Sequence, residues 1–282
     1  MVALLSSLTV LLCLLSPPAW AGQGQRCLNC HPSHYGDRGA CTDCHRGNPL
    51  SKRKNVAHHL LIPGRYARFT LGDTTEVVQG NRLLEQLACR RCHVSGGKGN
   101  RLATSLDTLP ATRVPGEIAA SVMSPALGMP DFKLDEAQVV TVVNALFAGA
   151  RKGERRERER PLVVFFEKSG PAAKDVFSRT CGPCHRMLTM GRGLLGSGTI
   201  GPNLSGLFSP FYPPTFAGGK PWTAERLTKR LHNPRQVSTF ALMPPVPLNA
   251  SDLKELKALL ATEGDGTANM LVHPPGKQYD FP

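Results

Sequence analysis

Apolar positions at helical spacing gather in two stretches of the chain, and the segment from 22 to about 70 has little of this pattern. In "QGNRLLEQLACRRCH", residues 79–93, Leu83, Leu84 and Leu87 recur at the spacing of one helix face, so a helix is predicted to run straight into Cys89. "LDEAQVVTVVNALFAGA", residues 134–150, predicts a second amphipathic helix with Asp135 and Glu136 at its electropositive N-terminal end. The plan then repeats. A helix marked by Val176 and Phe177 leads into Cys181, and a glycine-rich loop follows through "GSGTIGPNLSGLF". "WTAERLTKRLHNPRQV" is amphipathic, and a last helix carries Leu253, Leu256, Leu259 and Leu260 on its buried face, with Ser251 as the expected N-cap. The expectation is a mainly α chain with an internally duplicated architecture.

The same pattern sets the expected boundaries: a loop-rich module over 22–70, a helical module over 71–150, a linker over 151–168, a second helical module over 169–264 and a tail over 265–282. The linker contains "RKGERRERER", whose interleaved Glu and Arg predict an exposed helix in preference to a nucleic-acid or docking patch. Residues 2–15, "VALLSSLTVLLCLL", are apolar but short for a membrane span. They precede Pro17, Pro18 and the small-x-small run Ala19-Trp20-Ala21, which predicts a signal peptide over 1–21 cut after Ala21. The alternative is an uncleaved anchor that keeps the protein on a membrane. Either way the expected location is bacterial and outside the cytoplasm, periplasmic or exported.

Composition narrows the class. The 282 residues are 41% hydrophobic but only 6% aromatic, with 28 Gly and 24 Pro, so compact loop-rich modules should bury something besides side chains. The formal charge is +13, and no charged residue precedes Arg26, so the excess lies wholly after the leader. No nucleic-acid recognition motif accompanies it. An acidic redox protein, docking through salt-sensitive contacts, suits the basic surface better.

Setting Cys13 aside, all eight remaining cysteines fall in one pattern: Cys27-x-x-Cys30-His31, Cys41-x-x-Cys44-His45, Cys89-x-x-Cys92-His93 and Cys181-x-x-Cys184-His185. With 9 Cys and 9 His in the chain, independent placement would yield about 0.01 such motifs, so four are not accidental. Structural disulfides or a zinc ribbon would explain paired cysteines but not a histidine after every pair. C-x-x-C-H is the attachment signature of haem c: two thiols add to the vinyl groups and the adjacent histidine becomes the proximal iron ligand. Four covalently bound haem c groups are expected, two of them in the segment 27–45, where porphyrin would replace the missing apolar core.

"CRRCH" with "MPDFKLDEAQVVTVVNAL", and "CGPCH" with "GPNLSGLF" and "MPPVPLNASDLKELKALL", resemble two class I cytochrome c domains. That resemblance covers about 170 residues and implies two such helical domains behind an N-terminal dihaem module. It implies Met129 as distal ligand opposite His93 and Met243 opposite His185, with Gly201, Pro202 and Asn203 lining the second of these sites. Met123 also precedes a proline-containing loop, but Ser124 follows it directly, so Met129-Pro130 fits better. The head, "HPSHYGDRGACTDCHRGNP" with "RKNVAHHLLI", resembles the two-haem head of multihaem cytochromes encoded with respiratory chains for extracellular acceptors, including selenite and tellurite reduction operons.

Five histidines lie outside the motifs: His34, His58, His59, His232 and His273. The last two read as surface residues, whereas His34 with His58, or alternatively His59, would complete the two head sites. Because His34 follows His31 by only three residues, the short connection can hardly carry it round to the far side of the same iron. Crossed pairing is expected instead: His34 with His45, and His58 or His59 with His31. With every axial position filled, the chain reads as an electron carrier with no catalytic residues. The alternatives are a haem peroxidase or small-oxyanion reductase with one open site, and a haem subunit of a membrane-anchored complex.

Overall fold

A computed structural model describes residues 26–126, 128–152 and 175–262. The expected signal peptide, Cys13, nearly all of the charged linker, and the tail with His273 lie outside the described residues. The described chain is mainly helical, with one two-stranded sheet. Among the described residues no helix is long and apolar enough to cross a membrane.

The second module is built on two helices, Thr75–Gln86 and Glu136–Lys152, packed against each other. They cross closely at Gly80, where a Cβ would lie 2.0 Å from the Thr141 carbonyl oxygen, so only glycine fits. The long helix begins with a reciprocal cap: the Asp135 carboxylate accepts from the Gln138 amide at 2.8 Å, and the Gln138 side chain accepts from the Asp135 amide at 3.0 Å. Val139, Val143, Leu146 and Phe147 then line its buried face against Val77 and Leu84.

This core extends further back than expected. Ile62, Tyr66 and Phe69 belong to it, carried by tight turns at Gly64–Tyr66 and Arg68–Leu71, so the module starts near residue 62 instead of 71. Single turns this short leave no 3.6-residue period to detect. Asn144, fully buried in the long helix, ties this lead-in down. Its Nδ2 donates to the Arg65 carbonyl and the Val140 carbonyl, both at 2.9 Å, and its Oδ1 accepts from the Phe69 amide at 3.0 Å. Asn144→Leu keeps the branched shape but removes all three bonds, and is expected to cost about 3 kcal/mol in denaturant unfolding.

In the third module the short helix Val176–Thr180, capped by Asp175, buries Val176 and Phe177 against Leu256 and Leu260 of the last helix, Ala250–Leu260. That last helix is capped by Asn249, whose Oδ1 accepts from the Asp252 amide at 2.8 Å, and not by Ser251, which lies inside the first turn. Asn and Ser two positions apart offer equivalent caps to a reader of sequence, and the backbone path chooses between them. The stretch after the fourth C-x-x-C-H, expected as loop, contains an antiparallel hairpin, Met187–Thr189 with Gly193–Leu195, in which Met187 faces Leu195. Both are buried, so the hairpin closes the core beside Phe177. Gly193, the first residue of the second strand, takes φ +66° as the chain leaves the turn.

Candidate functional site

Each C-x-x-C-H folds into a single helical turn. The His31, His93 and His185 amides donate to the carbonyls of Cys27, Cys89 and Cys181 at 3.0, 3.1 and 2.8 Å, and Cys41–His45 is itself a five-residue helix. One turn places the two cysteines of each pair on the same face, three residues apart, with the histidine beside them. None of the eight motif cysteines is paired in a disulfide. Among the described residues no group of three or more His, Cys, Asp or Glu converges to hold a metal ion.

Three of the four motif histidines are oriented in the same way. Nδ1 of His45, His93 and His185 lies 2.8, 2.7 and 2.8 Å from the backbone carbonyls of Ile62, Thr104 and Pro202. A carbonyl only accepts, so Nδ1 carries the proton and Nε2 keeps its lone pair, which is how a ligating imidazole is held by its surroundings. Burial pushes the His93 imidazole below its usual range, against the smaller opposing effect of the Thr104 carbonyl, and keeps it neutral.

His93 opens on a cavity of about 340 Å³ whose walls are mostly apolar, among them Leu84, Leu87, Ile118 and Phe132. Met129 lines the same cavity, whereas Met123 is exposed on the surface. A nitrogen and a thioether sulfur in one apolar enclosure form a donor set suited to a flat, apolar, iron-bearing macrocycle.

At His185 the imidazole lies against Gly201. A Cβ there would fall 2.2 Å from His185 Cε1 and 2.4 Å from Nδ1. Pro202 supplies the carbonyl that orients the ring, and Asn203 braces the loop, its Oδ1 accepting from the Ser205 amide and hydroxyl at 2.9 and 2.6 Å. Met243 is partly buried against the third module's core. Large apolar side chains stand exposed beside these residues in sequence: Ile200 before Gly201, and Phe240 and Leu242 before Met243.

Sequence reasoning found the glycine-rich loop after the fourth motif but missed that glycines there and after the third motif let the chain run alongside the attachment turns. A Cβ at Gly99 would meet the His93 carbonyl oxygen at 2.0 Å, one at Gly196 the His185 carbonyl oxygen at 2.2 Å, and one at Gly198 the Pro183 carbonyl oxygen at 2.3 Å. Glycines a short way past the third and fourth motifs were the available signal.

In the head, His34 Nε2 faces His45 Nε2 at 3.3 Å, with ring centroids 5.5 Å apart and planes at 78°. His31 meets His58, with centroids 6.0 Å apart. His58 is half-buried while His59 is exposed, as is His232. The Cys27 thiol, raised by burial and by Cys41, lies beside Cys41 and brings the two attachment turns together.

Burial pushes the Cys89 thiol up to about 11, with Cys92 adding to the shift, and burial also raises Cys92 and Cys181. Redox-active C-x-x-C pairs depend on a depressed thiol, so these pairs are poorly built for thiol–disulfide exchange. No family model, curated protein or solved structure matches this chain.

Proposed function

We propose that the chain is an exported tetrahaem c-type cytochrome that relays single electrons between redox proteins of a respiratory chain. The observation that carries this reading is the common build of the motif turns: paired thiols on one face, and a histidine whose Nδ1 is committed to a carbonyl in three cases out of the four. The eight motif cysteines would hold the macrocycles, and His31, His45, His93 and His185 would give the proximal nitrogens. His58, His34, Met129 and Met243 would fill the opposite positions. Ile200, Phe240 and Leu242, solvent-exposed as they stand, would supply the apolar cover of the last site.

Haem c supplies a one-electron iron couple. The protein's side chains set its level at each site. Imidazole pairs in the head favour the oxidised iron relative to the thioethers of Met129 and Met243, which favour the reduced form. Electrons would therefore run downhill from the head to the third module. The +13 charge fits transient docking to acidic partners.

An intact-mass measurement combined with optical and electron paramagnetic resonance spectra tests this reading. The mature chain is expected to carry four haem additions, and the oxidised protein a near-infrared His/Met band, half of which disappears in Met129→Ala and half in Met243→Ala. Fewer than four additions would overturn the proposal. A substantial high-spin signal in the unmodified protein would replace it with the peroxidase or oxyanion-reductase reading.

A further inference from the structure

We infer that the four attachment sites lie in single file, in the order in which they occur in the chain, and that Arg46 and Arg91 are positioning residues at the two joints between modules. The inference rests on the electron-relay reading and adds to it the spatial order and the joints that maintain it.

The two joints are built alike. Arg46, directly after His45, stacks its guanidinium over the Phe147 ring of the second module at 5.5 Å and donates to the Pro110 carbonyl at 2.5 Å. Beside it, Ile62 of the second module's core holds His45 with both of its backbone groups: the Ile62 amide donates to the His45 carbonyl at 2.8 Å, and the Ile62 carbonyl accepts from His45 Nδ1. The second attachment turn of the head is thereby fastened to the second module.

Arg91, inside the third motif, repeats the device toward the third module. Its guanidinium lies over the Tyr212 ring at 5.7 Å and donates to the Asn203 carbonyl at 3.4 Å, an oxygen that also accepts from the Tyr212 hydroxyl at 3.1 Å. Asn203 follows Pro202, which holds His185, and its Nδ2 donates to the Gly128 carbonyl next to Met129 at 3.3 Å. Buried Asn100 locks the same joint, bonding the Arg91 carbonyl and the Ser209 hydroxyl, both at 2.8 Å. Gly206 permits this approach, since a Cβ there would lie 2.5 Å from the Arg91 carbonyl oxygen. The His93 site thus touches the His185 site through both its attachment turn and its distal loop.

Cations over aromatic rings, each with a carbonyl acceptor, make joints that a flexible apolar side chain such as methionine cannot replace. Electron tunnelling falls steeply with separation, so loosening one joint slows transfer across that joint and leaves earlier transfers alone. This asymmetry is the test. The holoprotein is given a sub-stoichiometric pulse of reductant, and reduction of the two Met-ligated sites is followed by their separate spectra.

Arg91→Met is expected to slow arrival at the His185 site about tenfold while leaving arrival at the His93 site unchanged, and Arg46→Met to delay both. Lysine at either position, which keeps the cation, should restore at least half of the rate. A native rate in both Met variants with four haems attached overturns the inference and leaves the relay reading intact. A haem count below four overturns both. Should a variant not fold, pulsed paramagnetic-resonance distances in the unmodified oxidised protein decide. The two head sites, then the second head site and the His93 site, then the His93 and His185 sites must be the nearest pairs, and any other order overturns the inference.

Discussion

Gly201→Val is expected to strip the His185 site of its low-spin character while leaving the haem count at four. Even the first added carbon would lie 2.2 Å from His185 Cε1, 2.4 Å from Nδ1 and 2.7 Å from Nε2, well inside contact distance of three ring atoms. Neither partner can yield easily. The Gly201 amide donates to the Cys184 carbonyl at 2.8 Å, and the next residue, Pro202, accepts from His185 Nδ1, so the loop is pinned on both sides of the glycine. The ring must therefore swing away, losing its hydrogen bond and the direction of Nε2, at a cost of about 2–4 kcal/mol. Cys181 and Cys184 are untouched, so attachment should proceed. Intact mass should show no change, while one quarter of the low-spin paramagnetic-resonance intensity converts to high spin. An unchanged spectrum would mean that the His185 ring does not serve the iron.

The second large effect is expected in the head. His34→Met should raise the potential of the site bearing His45, and His58→Met that of the site bearing His31, each by more than about 59 mV, a tenfold change in the one-electron oxidised-to-reduced ratio. Thioether in place of imidazole favours the reduced iron, which fixes the sign. The assignment follows from geometry: His34 Nε2 stands 3.3 Å from His45 Nε2, and the His31 and His58 rings meet edge to face at 67°. His59, exposed next door, provides the control, and His59→Met should move neither potential. A spectroelectrochemical titration of the three variants separates the cases. A shift in His59→Met without one in His58→Met would reassign the pairing to His59.

Helices and attachment turns were legible in the chain because the forces behind them are local. Leu83 and Leu84 mark the face that the Thr75–Gln86 helix presents inward, and Asp135 caps the helix it precedes, each within one or two turns of its partner. The C-x-x-C-H turns close through bonds four residues apart, as the spacing of their side chains requires. Crossed pairing in the head was also argued from a short-range limit, the three-residue connection from His31 to His34.

Everything that depends on chain segments meeting from afar was decided by tertiary structure. Ile62, Tyr66 and Phe69 join a core whose helical members begin at Val77, and no period announces them because tight turns carry the lead-in. Of two adjacent histidines, His58 faces His31 because the turn after Lys54–Ala57 directs it inward, whereas periodicity treats His58 and His59 alike. Asn203 was expected as loop lining, yet its carbonyl and amide reach Arg91 and Gly128, more than seventy residues away in the chain. Sequence determined the turns and the helices, since their hydrogen bonds lie within a few residues. The order of the sites and the joints between them came from packing, because a guanidinium finds an aromatic ring and a carbonyl only after two modules have folded against each other.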